Sequence, residues 1–416
     1  MLRLLLNSII KAGQLTVLTP RGSFVVGTGK PSVTIRIHDR RAMLALAMNP
    51  ELALGELYMD RRLTVENGDI ADLLELASLN LSNKRAPALL RVLRDVRKLF
   101  NPIRLRNKPR RAIRNVSHHY DLSAELYDLF LDRDRQYSCA YFSKPDMTLE
   151  QAQTAKKKHI AAKLHLDRPG LRVLDIGCGW GGLALDIARD TGAQVTGITL
   201  SHEQLVMAQQ RAAAAGLANA CRFELTDYRD VEEKYDRIVS VGMFEHVGAP
   251  YYDAYFRKIE ESLAPGGVAL VHTIGCPLGP GAYNPWIAKY IFPGGYIPAL
   301  SEMTTAVERS RLLVGDVEIL RLHYAYTLRE WRRRFTARRR KAAELYDERF
   351  CRMWEFYLAG CEMAFWHGGL VVFQMQLMKQ PNAVPITRDY MYEAERRPAL
   401  RRPRAARSYS DEHTIR

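Results

Sequence analysis

The sequence is poor in cysteine. Its 416 residues include only six, and these lie at Cys139, Cys178, Cys221, Cys276, Cys351 and Cys361. They are too few and too scattered for a disulfide scaffold, and none forms the close pair of a zinc site. This usage is typical of reduced thiols, so we expect a cytoplasmic protein.

Long apolar runs are also missing. No stretch approaches the roughly 20 apolar residues that span a bilayer, and no small-residue cleavage site follows the opening MLRLLL. Neither a membrane span nor a secretory signal is therefore expected. Because 47% of the residues are apolar and 26% are charged, wholesale disorder is excluded and one or two packed cores are expected.

Acidic residues are in deficit. Lys and Arg number 61 against 46 Asp and Glu, a net charge of +15, which favours nucleic acid or an anionic membrane as a partner. Residues 84–116 hold twelve Lys or Arg against the single acid Asp95. This basic linker is either a solvated tether or a contact with lipid phosphates, where each basic residue contributes about 1 kcal/mol. No aromatic platform is interleaved with the basic runs, which disfavours nucleic acid.

The chain divides into four predicted segments. Residues 1–83 begin with a helical apolar stripe (Leu2, Leu5, Leu6, Ile9, Ile10) that faces either the core or lipid. Short strand runs at 14–18, 23–26 and 33–37 and helical patterns at 41–48, 53–58 and 70–80 follow, so a small α+β domain is predicted. After the basic linker (84–116), a larger domain occupies 117–395, and residues 396–416 form a basic tail predicted to be disordered.

Strand and helix signals alternate from residue 171 onwards. Strand runs at 171–176, 194–198, 221–225, 237–241 and 268–272 predict an α/β, doubly wound, Rossmann-like sheet. The loop GCGWGG follows the first strand and opens a helix at 183–189. Gly177, Gly179 and Gly181 would let the backbone approach a cofactor, although a tight turn without a ligand has the same composition. Asp175 places a carboxylate next to this loop, suited to a cationic or hydroxylated ligand.

Other candidate cofactor contacts follow the next strands. TLSHEQ (199–204) stands where nucleotide-binding sheets usually carry an acid, so Thr199, Leu200, Ser201 and Gln204 are candidates. Ser201 and Gln204 also read as a plain helix cap. Asp227 and Tyr228 follow the third strand, where an adenine would lie.

Several motifs together resemble the cyclopropane-fatty-acyl-phospholipid synthase family, whose members are class I S-adenosylmethionine-dependent methyltransferases. They are YSCAYF (137–142), DIGCGWGG (175–182), TLSHEQ (199–204), VGMFEHVG (241–248), HTIG (272–275) and YIFPG (290–294). GELYMD (55–60) extends the resemblance into the first domain. The resemblance implies transfer of a methylene unit from S-adenosylmethionine to a cis double bond of a membrane phospholipid, at the membrane periphery, by a protein that the family suggests is a homodimer.

The resemblance also implies site residues and a bound bicarbonate as the base. Cys139, Glu245, His272, the backbone of Ile274 and Tyr324 would surround this anion, while Tyr137 and Ser138 would close over the methionine end of the cofactor. From the residues alone, Cys139 also reads as a packed hydrophobe, Glu245 as a helix cap with His246 as its rival, and His272 as a satisfied core residue. The family pattern marks Cys361 too, but we expect it to line the pocket because Glu362 beside it would oppose ionisation.

The segment 275–301 is too rich in Gly and Pro for a sheet or a long helix. Its apolar residues (Tyr283, Trp286, Ile287, Ile291, Phe292) would suit a wall of an acyl channel or a purely structural excursion. Three rival functions remain open at this point: a methyltransferase that makes methyl-branched or methylene fatty acids or methylates another acceptor, a lipid-binding protein with a vestigial cofactor site, and a nucleic-acid-binding protein.

Overall fold

The computed structural model describes residues 2–81 and 123–396. Residues 2–81 form a four-stranded sheet with helices packed on it, which confirms the predicted small α+β unit. Its elements are α1 (Leu2–Ile9), β1 (Gly13–Thr19), β2 (Gly22–Thr28), β3 (Ser32–Ile37), α2 (Arg40–Met48), α3 (Pro50–Met59), β4 (Leu63–Asn67) and α4 (Ile70–Leu81). The strand order is β2-β1-β3-β4, and β4 was not predicted.

The apolar stripe of α1 faces the protein core. Leu2, Ile9 and Ile10 are buried in a cluster that also includes residues of β1 and β2, whereas Leu4 is exposed. Burial of these side chains fixes the helix against its own sheet. Of the two sequence-based interpretations of this helix, the structure therefore supports packing on the core.

Residues 123–396 form the larger unit. Its elements are α5 (Ala124–Asp128), α6 (Leu149–Lys163), β5 (Arg172–Ile176), α7 (Gly182–Thr191), β6 (Gln194–Thr199), α8 (His202–Ala214), β7 (Cys221–Leu225), β8 (Tyr235–Val241), α9 (Tyr252–Ser262), β9 (Leu263–Gly275), α10 (Pro285–Tyr290), α11 (Leu300–Arg309), β10 (Leu313–Leu320), α12 (His323–Ala337), α13 (Arg339–Leu345), α14 (Glu348–Trp366), β11 (Val371–Met378) and α15 (Asp389–Arg396). The seven strands follow the order β10-β11-β9-β8-β5-β6-β7.

The five strands from β5 to β9 are parallel to one another, which confirms the predicted doubly wound sheet. Two antiparallel strands, β10 and β11, extend it beyond β9 and were not predicted. Every residue of β11 is buried, although FQMQL (373–377) alternates apolar and polar residues as a half-exposed strand would. Two of those buried residues, Gln374 and Gln376, are polar.

The small unit docks on α10 and α14 of the larger one. Trp286 is fully buried, and a Cβ atom added at Gly55 would lie 2.3 Å from its Nε1. Beside it, Glu56 accepts hydrogen bonds from the side chains of Lys289 (2.6 Å) and Tyr290 (2.8 Å). Trp286 therefore serves the contact between the units rather than the wall of an acyl channel.

The predicted basic linker (84–116) and the tail beyond Arg396 lie outside the described residues. So does the predicted start of the larger domain at residue 117. Within residues 2–81 and 123–396, no helix is both long and apolar enough to cross a bilayer.

Candidate active site

A pocket opens at the carboxyl ends of β5, β6 and β8, where the order of the parallel strands reverses direction. Open α/β sheets bind their ligands at this point of the topology. Ten of the twelve predicted cofactor residues line the pocket: Tyr137, Ser138, Asp175, Gly177, Gly179, Thr199, Leu200, Gln204, Asp227 and Tyr228. Residues that are 91 positions apart in sequence thus meet around one cavity.

The glycine-rich loop forms the floor of this pocket. The N–H of Gly177 donates to the carbonyl of Ile198 at 2.9 Å, which ties the loop to the neighbouring strand. Gly177 has φ of 80°, and an added Cβ would lie 3.1 Å from Cβ of Met243. At Gly179, with φ of 54°, nothing lies within 4 Å of such an atom. A ligand can therefore approach the backbone closely at this position.

Two of the predicted cofactor residues do not line the pocket. Gly181 precedes α7, and an added Cβ there would lie 2.8 Å from Cζ of Phe223, so this glycine allows the helix to pack on the sheet. Ser201 caps α8, and its hydroxyl accepts the N–H of Gln204 at 3.3 Å. Both residues shape the site through the backbone, and their contact with the cofactor stays a prediction.

Asp175 presents a buried carboxyl group to the pocket. It is 2% exposed, and its Oδ2 has no hydrogen-bond partner in the described part of the chain. Burial raises its pKa to about 7. A buried polar atom without a partner is costly, and a cationic or hydroxylated ligand in the pocket would satisfy it.

The side of the pocket that Thr199, Asp227 and Tyr228 form is held by local contacts. The hydroxyl of Thr199 donates to Oε1 of Gln204 at 2.9 Å. Asp227 accepts from the side chain of Arg229 at 2.8 Å, and Tyr228 packs edge-on against Tyr255. These contacts fix the side chains before a ligand binds.

Lys156 is a pocket residue that the sequence analysis missed. It lies on α6, is fully buried, and donates to Oγ of Ser138 at 2.9 Å and to Oε1 of Gln136 at 2.5 Å. Burial, helped by the neighbouring charge of Lys157, lowers its pKa to about 8. In the sequence it belongs to the run KKK at 156–158, which reads as a solvated face, so no signal distinguished it.

Glu245 lies beside this pocket, in the loop that follows β8. Its Oε1 accepts the backbone N–H of Ile274 at 2.7 Å, while its buried Oε2 makes no hydrogen bond to any described residue. Burial raises its pKa to about 7, although the hydrogen bond from Ile274 opposes the rise. The predicted donor, the N–H of Ile274, is thus already engaged by the predicted carboxylate.

His272 lies on β9, two residues before Ile274. It is 2% exposed, and its Nδ1 is 3.0 Å from Nε2 of Gln374 on β11. Burial lowers its pKa well below the usual value, and the charges of Lys156 and Lys163 act in the same direction. The imidazole is therefore neutral at physiological pH.

Cys139 belongs to the large hydrophobic core that runs through both units, and Ile274, Tyr324 and Cys361 pack against that core. We call these four residues and their surroundings the Cys139 cluster. Tyr357 is buried within it and donates to or accepts from the hydroxyl of Tyr137 at 2.7 Å. The ring of Phe292, from segment 275–301, packs edge-on against Tyr357 at 6.0 Å and against His246 at 5.8 Å. The cluster thus joins the wall of the cofactor pocket through Tyr137 and His246.

The two cysteines of the cluster are poor acids. Burial raises the pKa of the Cys361 thiol to about 12, and it raises that of Cys139 further still. The expectation that Glu362 opposes ionisation of Cys361 was wrong, because Glu362 is paired with Arg332 at 2.7 Å. Desolvation alone keeps this sulfur a thiol.

His246, the predicted rival of Glu245, lines the cofactor pocket. Burial lowers its pKa to about 4, so it is neutral near pH 7. Its position on the cofactor side, against the ring of Phe292, differs from that of Glu245, which is bonded to Ile274.

A seven-stranded, mostly parallel sheet with a glycine-lined pocket at its switch point defines a class I S-adenosylmethionine-dependent methyltransferase. The family model for mycolic acid cyclopropane synthetase matches residues 107–375, and a domain of unknown function matches residues 22–84. The chain belongs to the mycolic acid cyclopropane synthetase family.

Similar proteins support this assignment. The chain is 39% identical over 375 residues to a probable fatty acid methyltransferase of Pseudomonas putida, covering 87% of this chain and 92% of that protein. It is 40% identical over 338 residues to the cyclopropane-fatty-acyl-phospholipid synthase of Escherichia coli K12, covering 81% and 85%. The family resemblance drawn from the motifs is thereby confirmed.

Solved structures share the fold of the larger unit. Cyclopropane synthase MmaA2 of Mycobacterium tuberculosis superposes with a TM-score of 0.61 at 34% identity, covering 64% of this chain and 98% of that one. Mycolic acid cyclopropane synthase CmaA1, complexed with SAH and CTAB, gives a TM-score of 0.61 at 36% identity over the same shares, 64% and 98%. The SAH in the CmaA1 complex supports S-adenosylmethionine as the cofactor of this chain.

Proposed function

We propose that the protein transfers a methylene unit from S-adenosylmethionine to the cis double bond of an unsaturated acyl chain in a membrane phospholipid, which forms a cyclopropane ring. The observation that carries this proposal is the position of Glu245. Its buried carboxyl group joins the Cys139 cluster through Ile274, next to the cofactor pocket. An apolar surface for an acyl chain and a proton-handling group would thus lie together beside the cofactor pocket.

When bound, the cofactor supplies an electrophilic methyl carbon: its bond to sulfur breaks as it bonds to the alkene, and it loses one proton to a base as the ring closes. Asp175, Thr199, Gln204 and Asp227 would hold the cofactor through its polar groups. The Cys139 cluster would hold the acyl chain and exclude water from the cationic carbon that forms in the lipid.

We also propose that a bicarbonate ion is the base, held by Glu245, His272 and Tyr324 beside Cys139. The unpartnered Oε2 of Glu245 supports this fit. A carboxyl group with a pKa of about 7 is substantially protonated at neutral pH, so this oxygen can donate a hydrogen bond to an anion. Lys156, fully buried nearby, contributes the positive charge that a buried anion needs.

The proposed site of action is an anionic membrane surface. The net charge of +15 and the basic linker, with twelve Lys or Arg between residues 84 and 116, support this inference. The protein would associate peripherally, with the linker on lipid phosphates and the acyl chain drawn into the Cys139 cluster. We propose a homodimer on the family resemblance alone.

The test uses purified full-length protein with S-adenosylmethionine carrying a labelled methyl group. Vesicles of phosphatidylglycerol with cis-unsaturated acyl chains are the acceptor, and vesicles with saturated chains are the control. Label is expected only in the unsaturated lipid, whose acyl mass should increase by one CH2. Because a methylene product has the same mass, proton NMR of the extracted lipid should show ring protons and no new vinyl protons.

Absence of label in unsaturated lipid would contradict the enzyme assignment and favour a lipid-binding protein. Label together with new vinyl protons would show that the product is a methylene fatty acid. A mass gain that includes two further hydrogens would show that it is a methyl-branched one. Transfer of label to RNA under the same conditions would indicate that the positive charge of the protein serves binding to nucleic acid.

A further inference from the structure

A chain of buried polar side chains runs from His272 through Gln374 and Lys163. Gln374 faces His272 across the antiparallel pair β9 and β11, and its Nε2 is 3.0 Å from Nδ1 of the imidazole. Gln374 is fully buried, so its amide has no solvent to compensate a reversed orientation. Which end of the amide faces His272 therefore depends on the residue that contacts its other end.

Lys163 is that residue, and it sets the orientation of the Gln374 amide. The Nζ of Lys163, the last residue of α6, is 2.7 Å from Oε1 of Gln374. The same Nζ forms a hydrogen-bonded ion pair with Glu318. Although burial raises the pKa of Glu318, His159 and Lys163 together lower it to about 2, so it is a carboxylate. Burial lowers the pKa of Lys163, and the charge of Glu318 and its hydrogen bond oppose that effect and favour the ammonium form. An ammonium group donates only, so Gln374 turns its oxygen to Lys163 and its NH2 to His272.

The direction of these hydrogen bonds determines the protonation of His272. The NH2 of Gln374 donates to Nδ1, so Nδ1 cannot carry a proton. A neutral imidazole then holds its proton on Nε2. We propose that Gln374 and Lys163 are positioning residues, which hold His272 as the Nε2–H tautomer so that this N–H can donate to the anion in the site.

This inference rests on the proposed function for the identity of the anion. The tautomer itself depends only on Lys163, Gln374 and His272. The wrong tautomer of an active-site histidine presents an acceptor where a donor is needed, and it leaves a buried anion without that hydrogen bond. Loss of comparable outer-shell contacts typically weakens binding about 10- to 100-fold.

The first measurement is a 15N spectrum of the full-length protein labelled in histidine, with the spectrum of His272→Gln used to assign the His272 signals. We expect an unprotonated Nδ1, a protonated Nε2, and a shift of the Nε2 signal on addition of bicarbonate. A protonated Nδ1, or an imidazolium at pH 7.5 (about one unit above the usual histidine value), would overturn the proposal without any variant.

The second measurement uses Gln374→Glu, whose carboxylate can only accept from the imidazole, so the proton should move to Nδ1. The bicarbonate concentration for half-maximal methyl transfer should then rise about 10- to 100-fold, while the affinity for S-adenosylhomocysteine is retained. Gln376→Glu is the matched control. It places a carboxylate on the same buried strand, and Gln376 contacts the backbone oxygen of Lys163 and the hydroxyl of Tyr390 instead of His272.

Lys163→Met provides a second variant, since it removes the ammonium group and lets the Gln374 amide turn. We expect signals of both His272 tautomers in this protein. A bicarbonate requirement that stays unchanged in Gln374→Glu despite the shifted proton would overturn the positioning role. Failure of the wild-type protein to label unsaturated vesicles would instead overturn the proposed function, and the NMR spectrum distinguishes these two results because it needs no turnover.

Discussion

The carboxylate of Glu245 accepts the backbone N–H of Ile274 at 2.7 Å, and this contact ties the loop after β8 to the end of β9. It uses one oxygen of the carboxyl group and leaves the other buried without a partner among the residues described. In a carboxyl group that only caps a helix, both oxygens would be bonded to the protein or to solvent. Glu245 is instead left with one oxygen unsatisfied, and a ligand at this oxygen would satisfy it.

Replacement of Glu245 by Gln should abolish most of the methyl transfer and leave the cofactor bound. Gln keeps the shape and an oxygen for Ile274, but it cannot pass on the proton that bicarbonate removes from the substrate, so we expect a loss of about 100-fold or more. Radiolabel transfer to unsaturated vesicles measures the activity, and calorimetry with S-adenosylhomocysteine measures binding. The control is Glu308→Gln, the same change on an exposed face of α11. Turnover equal to wild type would mean that the proton is handled elsewhere.

Gly55→Ala should destabilise the protein. An alanine in a helix normally stabilises it, by about 1 kcal/mol relative to glycine. Here the added methyl group would lie 2.3 Å from Nε1 of Trp286, so a net loss of about 1–3 kcal/mol is expected. Denaturant unfolding measures it. Gly360→Ala is the matched control, because Gly360 is also helical and its added Cβ would lie 3.9 Å from Cδ1 of Leu74, an ordinary van der Waals contact. Increased stability of Gly55→Ala would show that the two units do not meet as described.

The pH dependence of stability should report on His159. Burial lowers its pKa, but hydrogen bonds to Glu318 and Glu395, both at 2.6 Å, outweigh burial and raise it above the usual 6.5. A raised pKa stabilises the folded protein fully below pH 6.5, and this contribution is lost as the pH rises through the folded-state value. The group therefore stabilises the protein most under mildly acidic conditions.

The comparison of wild type with His159→Gln tests this dependence. The difference in the free energy of unfolding should be about 1–3 kcal/mol at pH 6, and it should decrease as the pH is raised towards 9. His38→Gln, at an exposed histidine, should change the free energy by less than about 0.5 kcal/mol at either pH. A difference for His159→Gln that grows with pH would reverse the sign of the argument.

Neutralising four arginines of the basic linker should weaken membrane binding. Arg104, Arg106, Arg110 and Arg111, each changed to Gln, would together remove about 4 kcal/mol of attraction to anionic lipid. Cosedimentation with phosphatidylglycerol vesicles measures binding, and affinity for S-adenosylhomocysteine should be retained. The control changes four exposed arginines of the larger unit, at 168, 257, 311 and 321, by the same net charge. Equal loss in both proteins would leave only total charge as the cause.

The motifs that could be read from the sequence are those in which local chemistry determines local structure. The run that contains Asp175 and Gly177 predicts a strand, a loop and a cofactor site because glycines and a strand-end carboxylate act within a few residues. Ten of twelve predicted residues line the pocket for that reason. Gly181 and Ser201 share the same motifs, but their positions support the helices that follow.

The residues that sequence reasoning missed act over long separations. In the sequence, Lys156 cannot be told from the other two lysines of its run, and only its position on α6 places it in the pocket. Gln374 acquires its meaning only from the register of β9 and β11, which pairs it with His272, 102 residues earlier. Strand β11 itself escaped prediction although FQMQL (373–377) alternates apolar and polar residues. That alternation predicts Gln374 and Gln376 in solvent, whereas both are buried.

The enclosure of Trp286 has a consequence for any attempt to shorten this enzyme. Its indole is covered on one side by Gly55 and on the other by Phe356, whose ring centroid lies 4.6 Å away. A truncated chain that starts after residue 81 would expose this large ring to water, six positions before Phe292, which abuts Tyr357 and His246. The N-terminal portion therefore shields a large apolar ring of the larger unit, and a shortened chain would be less stable and more prone to aggregate at that face.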